Sequence, residues 1–329
     1  MYWSYLVQIS HNMWREANGP VRGEHSNASP KLLLEKSLWD DMVVFAKDHG
    51  INTMVMDLGD AIRYDSHPEI AVEGAWTVSE LKAELKKMRE MGITPIPKLN
   101  FSTVHDEWLG DYSRMVSSPT YYGVCKDLID EICDIFEKPE LFHLGMDEEK
   151  QSYVAFWGYN VIRNGEFWWK DFLYFVDAVE RNGSRAWIWS DRIWEHPKEF
   201  LQKMPRSVMQ SNWYYGDFYD VNPDNPHVYA YELLAKNGFD QIPCGMNGNV
   251  IRTVKHCMDT IPQESLKGFM QAPWTIVLET RRYQHLAAMD YLHQARLGYE
   301  GDEEMFCGWR GMKEHFSSYT KDHFPDLMG

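Results

Sequence analysis

The stretch Leu141-Phe142-His143-Leu144-Gly145-Met146-Asp147-Glu148-Glu149 decides how the chain is read. Leu141 to Met146 is an apolar run of strand length, and it breaks off into three consecutive carboxylates. Apolar strands with polar residues gathered past their carboxyl ends are a mark of parallel sheets wrapped by helices. The flanking sequence shows how many such strands there are. Upstream, Tyr5 to Ile9, Asn52 to Leu58 and Ile93 to Phe101 read as strands. Between them, Lys31 to His49 has helical periodicity, with Leu34, Leu38, Met42, Phe45 and Ala46 on one side and Gly50 as a C-terminal stop. Thr77 with Glu80 forms a capping box for a helix running to Met91-Gly92, and Pro119 opens the next helix. Downstream, the expected strands are Ala186 to Ser190, Ser207 to Trp213, Gln241 to Met246 and Gly268 to Ala272. The expected helices there are Phe167 to Asn182, Pro197 to Lys203, Tyr229 to Asn237, Val250 to Thr260 and Tyr283 to Leu297. Eight strand-helix units in alternation indicate an α/β protein, a (β/α)8 TIM barrel; a doubly wound sheet usually has fewer strands. No linker or low-complexity stretch divides the 329 residues, so a single barrel over 1–329 is expected, with 301–329 as a C-terminal tail packed on it.

The formal net charge is −16, from 33 basic and 49 acidic side chains. Nucleic acid and anionic membranes need a basic footprint, so neither is an expected partner. No apolar run is long enough to span a bilayer. Met1-Tyr2-Trp3-Ser4 does not open a signal peptide. Cys125, Cys133, Cys244, Cys257 and Cys307 are scattered and odd in number, without metal-site spacing, so core or free thiols are expected. These features lean toward a reducing, cytoplasmic setting and leave open an exported protein trimmed of its leader. Fourteen tryptophans and eighteen tyrosines exceed what a core of this size needs. A sugar ring packs its apolar face on an indole, so the surplus suits a carbohydrate site, with packing as the plain alternative.

Barrel chemistry sits at the carboxyl ends of the strands. There the sequence places Asp60 and Arg63 after strand two, Lys98, Asn100 and His105 after strand three, and His143, Asp147, Glu148 and Glu149 after strand four. Trp189 and Asp191 come next on strand five, Gln210, Asn212, Trp213 and Tyr214 on strand six, Asn247 on strand seven and Trp274 on strand eight. Adjacent carboxylates point in different directions, so one can hold a proton while the other stays ionised. The plain alternative for Asp147-Glu148-Glu149 is a solvated loop with the acidic preference of a helix start. His143 and His105 can equally be strand-end and loop residues, and Asp191 can equally cap the next helix. His143, Asp147 and Asp191 supply only one imidazole, so neither a metal site nor a cofactor is expected.

The motif His143-Leu144-Gly145-Met146-Asp147-Glu148 resembles the His/Asn-x-Gly-x-Asp-Glu strand end of glycoside hydrolase family 20, the β-N-acetylhexosaminidases. The resemblance runs from about residue 1 to 300. Gln210-Ser211-Asn212-Trp213 is similar to the family's Gln-x-Trp strand with one added residue, and Gly268 to Trp274 to its eighth strand. The resemblance implies Glu148 as general acid and Asp147 as the group that orients and stabilises a substrate 2-acetamido group acting as nucleophile. It implies Asp60 and His105 as a relay tuning the acid, the latter after a one-residue insertion. Trp189, Trp213 and Trp274 would wall the acetamido pocket. From their places at the strand ends, Asp191, Gln210, Asn212, Tyr214, Asn247, Arg63 and His143 are expected as further substrate contacts. The chain departs from the pattern at Trp3, where the family has a sugar-gripping arginine, and at Lys98 and Asn100, where it has Glu and Asp. Cys244-Gly245-Met246-Asn247 lacks the family's tyrosine, and Glu279 falls five residues after Trp274. The expected activity is removal of a terminal β-linked amino sugar or close analogue, with retention of configuration. The alternatives are a glycosidase using two enzyme carboxylates on plain sugars and a non-catalytic carbohydrate-binding barrel.

Overall fold

The computed structural model describes residues 1–13, 28–152, 159–216 and 224–299. Among them, eight strands form one sheet: β1 (Tyr2–Gln8), β2 (Thr53–Asp57), β3 (Thr94–Lys98), β4 (Leu141–His143), β5 (Arg185–Trp189), β6 (Met209–Ser211), β7 (Cys244–Gly245) and β8 (Gly268–Gln271). Their order is β6-β5-β4-β3-β2-β1-β8-β7. Parallel bridges Gln210↔Gln241 and Trp213↔Cys244 link the β6 and β7 segments at the two ends of that order. The fold is a (β/α)8 barrel. Its crossover helices are α1 (Lys36–Asp48), α2 (Val78–Glu90), α3 (Pro119–Ile135), α4 (Glu166–Arg181), α5 (Pro197–Lys203), α6 (Pro226–Lys236), α7 (Asn249–Thr260) and α8 (Arg282–Arg296).

Each expected strand occurs, and the differences lie at its ends. β4 stops at His143 rather than Met146 because Gly145 and Met146 adopt φ of 70° and 69°, which turns the chain out of the sheet. α1 starts at Lys36 rather than Lys31 because Lys31 and Leu34 are taken by isolated parallel bridges to Glu73 and Val277. The capping box before α2 is present: Glu80 N–H donates to Thr77 Oγ1 at 3.2 Å, and Thr77 N–H donates to Glu80 Oε2 at 2.7 Å. The sequence gives no sign of a parallel ladder of Ile62–Arg63 with Trp76–Thr77, which is too short to show periodicity. Cys125, Cys133, Cys244 and Cys257 are buried free thiols. Cys307 and the expected tail 301–329 lie outside the described residues. No helix among the described residues is long and apolar enough to cross a membrane.

The chain divides into two compact units. One contains Met1–Val7, Leu34–Met54 and the described part of Gln210–Gly329. In it the Tyr5 hydroxyl bonds His285 Nδ1 at 2.8 Å, and His285 Nε2 bonds the Ile276 carbonyl at 2.9 Å. Burial lowers that imidazole to about 4, so it is neutral and joins strand to helix without charge. The other unit contains the described parts of Gln8–Leu33 and Val55–Met209. Its aromatic core includes Phe101 stacked on Phe175 at 4.6 Å and Trp168 stacked on Phe172 at 4.9 Å. Beneath the end of β3 lies a polar exception, fully buried Lys98 bonded to Asp57 Oδ2. Burial pushes the Asp57 carboxyl up, and the Lys98 charge and hydrogen bond work against that rise.

Removing one member of a buried ion pair strands the other in a low-dielectric interior. Lys98→Met should therefore cost about 3–5 kcal/mol of stability, and adding Asp57→Asn should restore part of it. Urea unfolding of the two variants checks this. A Lys98→Met protein as stable as the parent would mean the pair does not function as a charged unit.

Candidate active site

The exit from β4 is built on an unusual backbone. Gly145, Met146 and Glu148 have φ of 70°, 69° and 58°. Such angles cost a non-glycine residue roughly 1–2 kcal/mol each, so tertiary contacts must hold them. At Gly145 the geometry admits only glycine: a Cβ there would sit 1.9 Å from Asn100 Oδ1 and 2.8 Å from Asn100 Cα. Asn100 is the main tether. Its Oδ1 accepts from Met146 N–H at 3.2 Å and Ser102 N–H at 3.0 Å, and its Nδ2 donates to Asp147 Oδ1 at 2.9 Å. The Ser102 hydroxyl donates to the Asp147 carbonyl, and Asp191 Oδ2 accepts from Glu148 N–H at 2.9 Å.

These tethers place Asp147 and Glu148 on either side of one imidazole nitrogen. His105 Nε2 lies 3.2 Å from Glu148 Oε2 and 3.4 Å from Asp147 Oδ2. The side chains of His105 and Asp147 are 3 % and 10 % exposed, and that of Glu148 is 23 %, so Glu148 has the freest access to a ligand. Burial opposes charge on His105, but the Asp147 charge and hydrogen bonds to both carboxylates prevail and push it up to about 10. Burial would raise Asp147 as well, yet His105, Lys98 and Asn100 outweigh it and hold the carboxyl down at about 2. Asp147 is thus a carboxylate and His105 an imidazolium across neutral pH. Asp191 behaves oppositely. Burial, with the Asp147 charge next, pushes it up to about 7 against the pull of the Glu148 amide, and its Oδ1 has no hydrogen-bond partner among the described residues.

The remaining expected residues have other partners. Asp60 gives its carboxylate to Ser10 Oγ at 2.7 Å and Asn12 Nδ2 at 2.6 Å, and burial raises it to about 7. His105 bridges the Asp147 and Glu148 carboxylates directly, and Asp57 is the strand-two carboxylate that senses its charge. Arg63 is exposed. His143 is fully buried; its Nδ1 accepts from Gly145 N–H at 3.0 Å, and its ring lies 4.8 Å from both Trp187 and Trp189. Asp191 stands at the N-cap of the following turn but makes no side-chain cap hydrogen bond there.

In the other unit, Gln210 and Asn212 are buried, and Asn212 Nδ2 donates to the His227 carbonyl at 2.7 Å. Half-buried Trp213 stacks on Tyr215 at 4.9 Å, and Trp274 Nε1 donates to the Tyr215 hydroxyl at 3.1 Å. Tyr214 lies 6.1 Å from the His227 ring, and Asn247 is buried with φ 49°. Sequence reasoning missed Tyr215, whose cue was the Trp213-Tyr214-Tyr215 run. It also missed Ser102, Arg163 and Asp171, which carry no motif.

His105, Asp147 and Glu148 each offer a ligand atom within 4.8 Å of the others, the one such grouping among the described residues. It differs from the His143, Asp147 and Asp191 set weighed from sequence. A cation there would compete with the proton on His105 Nε2 for the same lone pair, and the two carboxylates strongly favour that proton.

No protein-family model matches the chain, and no curated protein sequence matches it. Solved structures do. The GH20 exo-β-N-acetylglucosaminidase of Vibrio harveyi, solved with N-acetylglucosamine, aligns with a TM-score of 0.62 at 14 % identity, covering 99 % of this chain and 57 % of that one. The fold is shared with the hexosaminidases. The β-N-acetylhexosaminidase of Bacteroides fragilis aligns at 0.62 with 16 % identity, over 99 % of this chain and 71 % of its own. The Streptomyces plicatus N-acetyl-β-hexosaminidase, solved with Thio-NAglucal, aligns at 0.61 with 13 % identity, over 90 % and 63 %. The chain therefore spans little more than half the length of the Vibrio enzyme.

A raised folded-state pKa means that the His105 interaction stabilises fully below the unfolded imidazole value of about 6.5 and is lost as pH rises through about 10. By nitrogen NMR, His105 should remain doubly protonated at pH 8. The stability deficit of His105→Gln should shrink between pH 7 and pH 10. A neutral His105 at pH 7 would contradict the electrostatic assignment.

Proposed function

We propose that this chain is a divergent member of glycoside hydrolase family 20 that removes a terminal β-linked 2-acetamido sugar, with Glu148 as the acid. The observation that carries the proposal is the Asp147–Glu148 pair at the end of β4, bridged by His105 Nε2, on a hexosaminidase fold. In the proposed reaction the Glu148 proton passes to the glycosidic oxygen as the bond to the anomeric carbon breaks. The acetamido oxygen attacks that carbon from the opposite side and forms a cationic oxazolinium, so no enzyme nucleophile is required. Asp147 is suited to face that cation because its surroundings keep it ionised. His105 serves both stages with one N–H: it pairs with Asp147 while Glu148 is protonated, and stabilises the Glu148 carboxylate once the proton has left. Water then opens the ring, giving its proton to Glu148. Family resemblance assigns Trp189, Trp213 and Trp274 to the acetamido wall.

One observation favours a second reading. Asp191 is a buried carboxyl with one oxygen that has no partner among the described residues, its other oxygen 2.9 Å from the Glu148 amide. It is the candidate second carboxylate for a glycosidase acting on sugars without an acetamido group. A panel of nitrophenyl glycosides separates the readings. Turnover confined to 2-acetamido sugars is the expected result, turnover of plain hexosides supports the second reading, and binding without turnover indicates a carbohydrate-binding barrel.

Glu148→Gln should lose much more activity on substrates with poor leaving groups than on nitrophenyl glycosides, since a good leaving group needs little proton donation. Equal loss on both would remove Glu148 from the role of acid.

A further inference from the structure

Glu149 comes directly after the proposed acid in sequence but belongs to a different environment. Its side chain is 2 % exposed and faces Arg163, which is equally buried. Arg163 Nε donates to Glu149 Oε2 at 3.0 Å, and Nη2 donates to Oε1. The same guanidinium donates from Nη2 to the Phe101 carbonyl at 2.7 Å and from Nη1 to Asp171 Oδ2 at 3.0 Å. Glu149 Oε1 also accepts from Thr103 N–H at 3.2 Å. Asp171, on α4 and fully buried, receives hydroxyl donors from Ser117 at 2.7 Å and from Tyr122. One arginine therefore ties the residue after Glu148 to the Phe101–Thr103 backbone, which leads directly to His105, and to α4.

We infer that Arg163 and Glu149 are positioning residues for Glu148, a clamp that fixes the acid relative to His105. The inference rests on the proposed role of Glu148. Glu148 sits in a left-handed conformation between Asp147, held by Asn100 and Ser102, and Glu149, held by Arg163 and Thr103. With both neighbours anchored, little freedom remains for its Cα. A bidentate guanidinium–carboxylate pair fixes direction as well as distance, which a single-point contact with lysine cannot. Stability alone is a weak account of the cluster, because buried ion pairs add little over apolar residues of similar volume.

Arg163→Lys keeps a charge opposite Asp171 but loses the fork, and Glu149→Gln weakens the clamp without removing a buried cation. Either variant that stays folded by circular dichroism serves the test. With 2-acetamido sugar substrates, kcat should fall about a hundredfold on a poor leaving group, the scale of an ångström-sized misplacement. Loss on the nitrophenyl substrate should be far smaller, and KM should hold. Added to Glu148→Gln, the clamp variant should cause no further loss on the poor leaving group. If Glu148→Gln discriminates between leaving groups and both clamp variants do not, Arg163 and Glu149 are structural and the inference fails alone. If Glu148→Gln itself does not discriminate, the acid assignment fails and the clamp's role falls with it.

Discussion

The site depends on one close approach, that of the Asn100 side chain to the Gly145 backbone. With Asn100 Oδ1 standing where a Cβ at 145 would be, the chain can leave β4 only through a glycine in a left-handed conformation. That turn ends the strand at His143 and delivers two successive carboxylates to His105. Asn100 also bonds Asp147 and the Met146 amide, so the residue that demands the turn also helps to hold the carboxylate pair beyond it. An exit taken as a regular strand would alternate these side chains across the sheet and separate the pair from the imidazole.

Electrostatics then separate the carboxylates by environment. Asp147 has an imidazolium, an amide and the field of Lys98, all favouring its charge. Glu149 is paired with the Arg163 guanidinium, which it shares with Asp171. Asp191 has a single backbone amide and the repulsion of Asp147, and is pushed toward its protonated form. Glu148 shares His105 with Asp147 and retains the most exposure of the pair. Four acidic side chains within one small region thus acquire four distinct characters from their neighbours, and a proton-transfer site requires such a division.

The barrel was legible because its signals are local: apolar strands, helix periodicity, the Thr77–Glu80 box and glycine stops each occupy a few adjacent residues. The Asp147–Glu148 pair was legible for the same reason. His105 was placed in the loop after strand three by its position, but its role came only through resemblance, and the carboxylate first matched with it, Asp60, is engaged by Ser10 and Asn12. Contacts between distant segments left no trace in spacing. Arg163 meets Glu149 across 14 residues, Lys98 meets Asp57 across 41, and Ser102 meets the Asp147 carbonyl across 45. Lys98 and Asn100 stood out in the sequence as departures from a family pattern; the structure assigns each a partner in or beneath the site.

The central claim is that a substrate acetamido group, stabilised by ionised Asp147, takes the place of an enzyme nucleophile. A thiazoline analogue of the cyclic intermediate tests it most directly, because it resembles the species the site would stabilise. Strong competitive inhibition of the parent protein is expected, with inhibition and turnover weakened together in Asp147→Asn. An active protein that is indifferent to the thiazoline would contradict the claim.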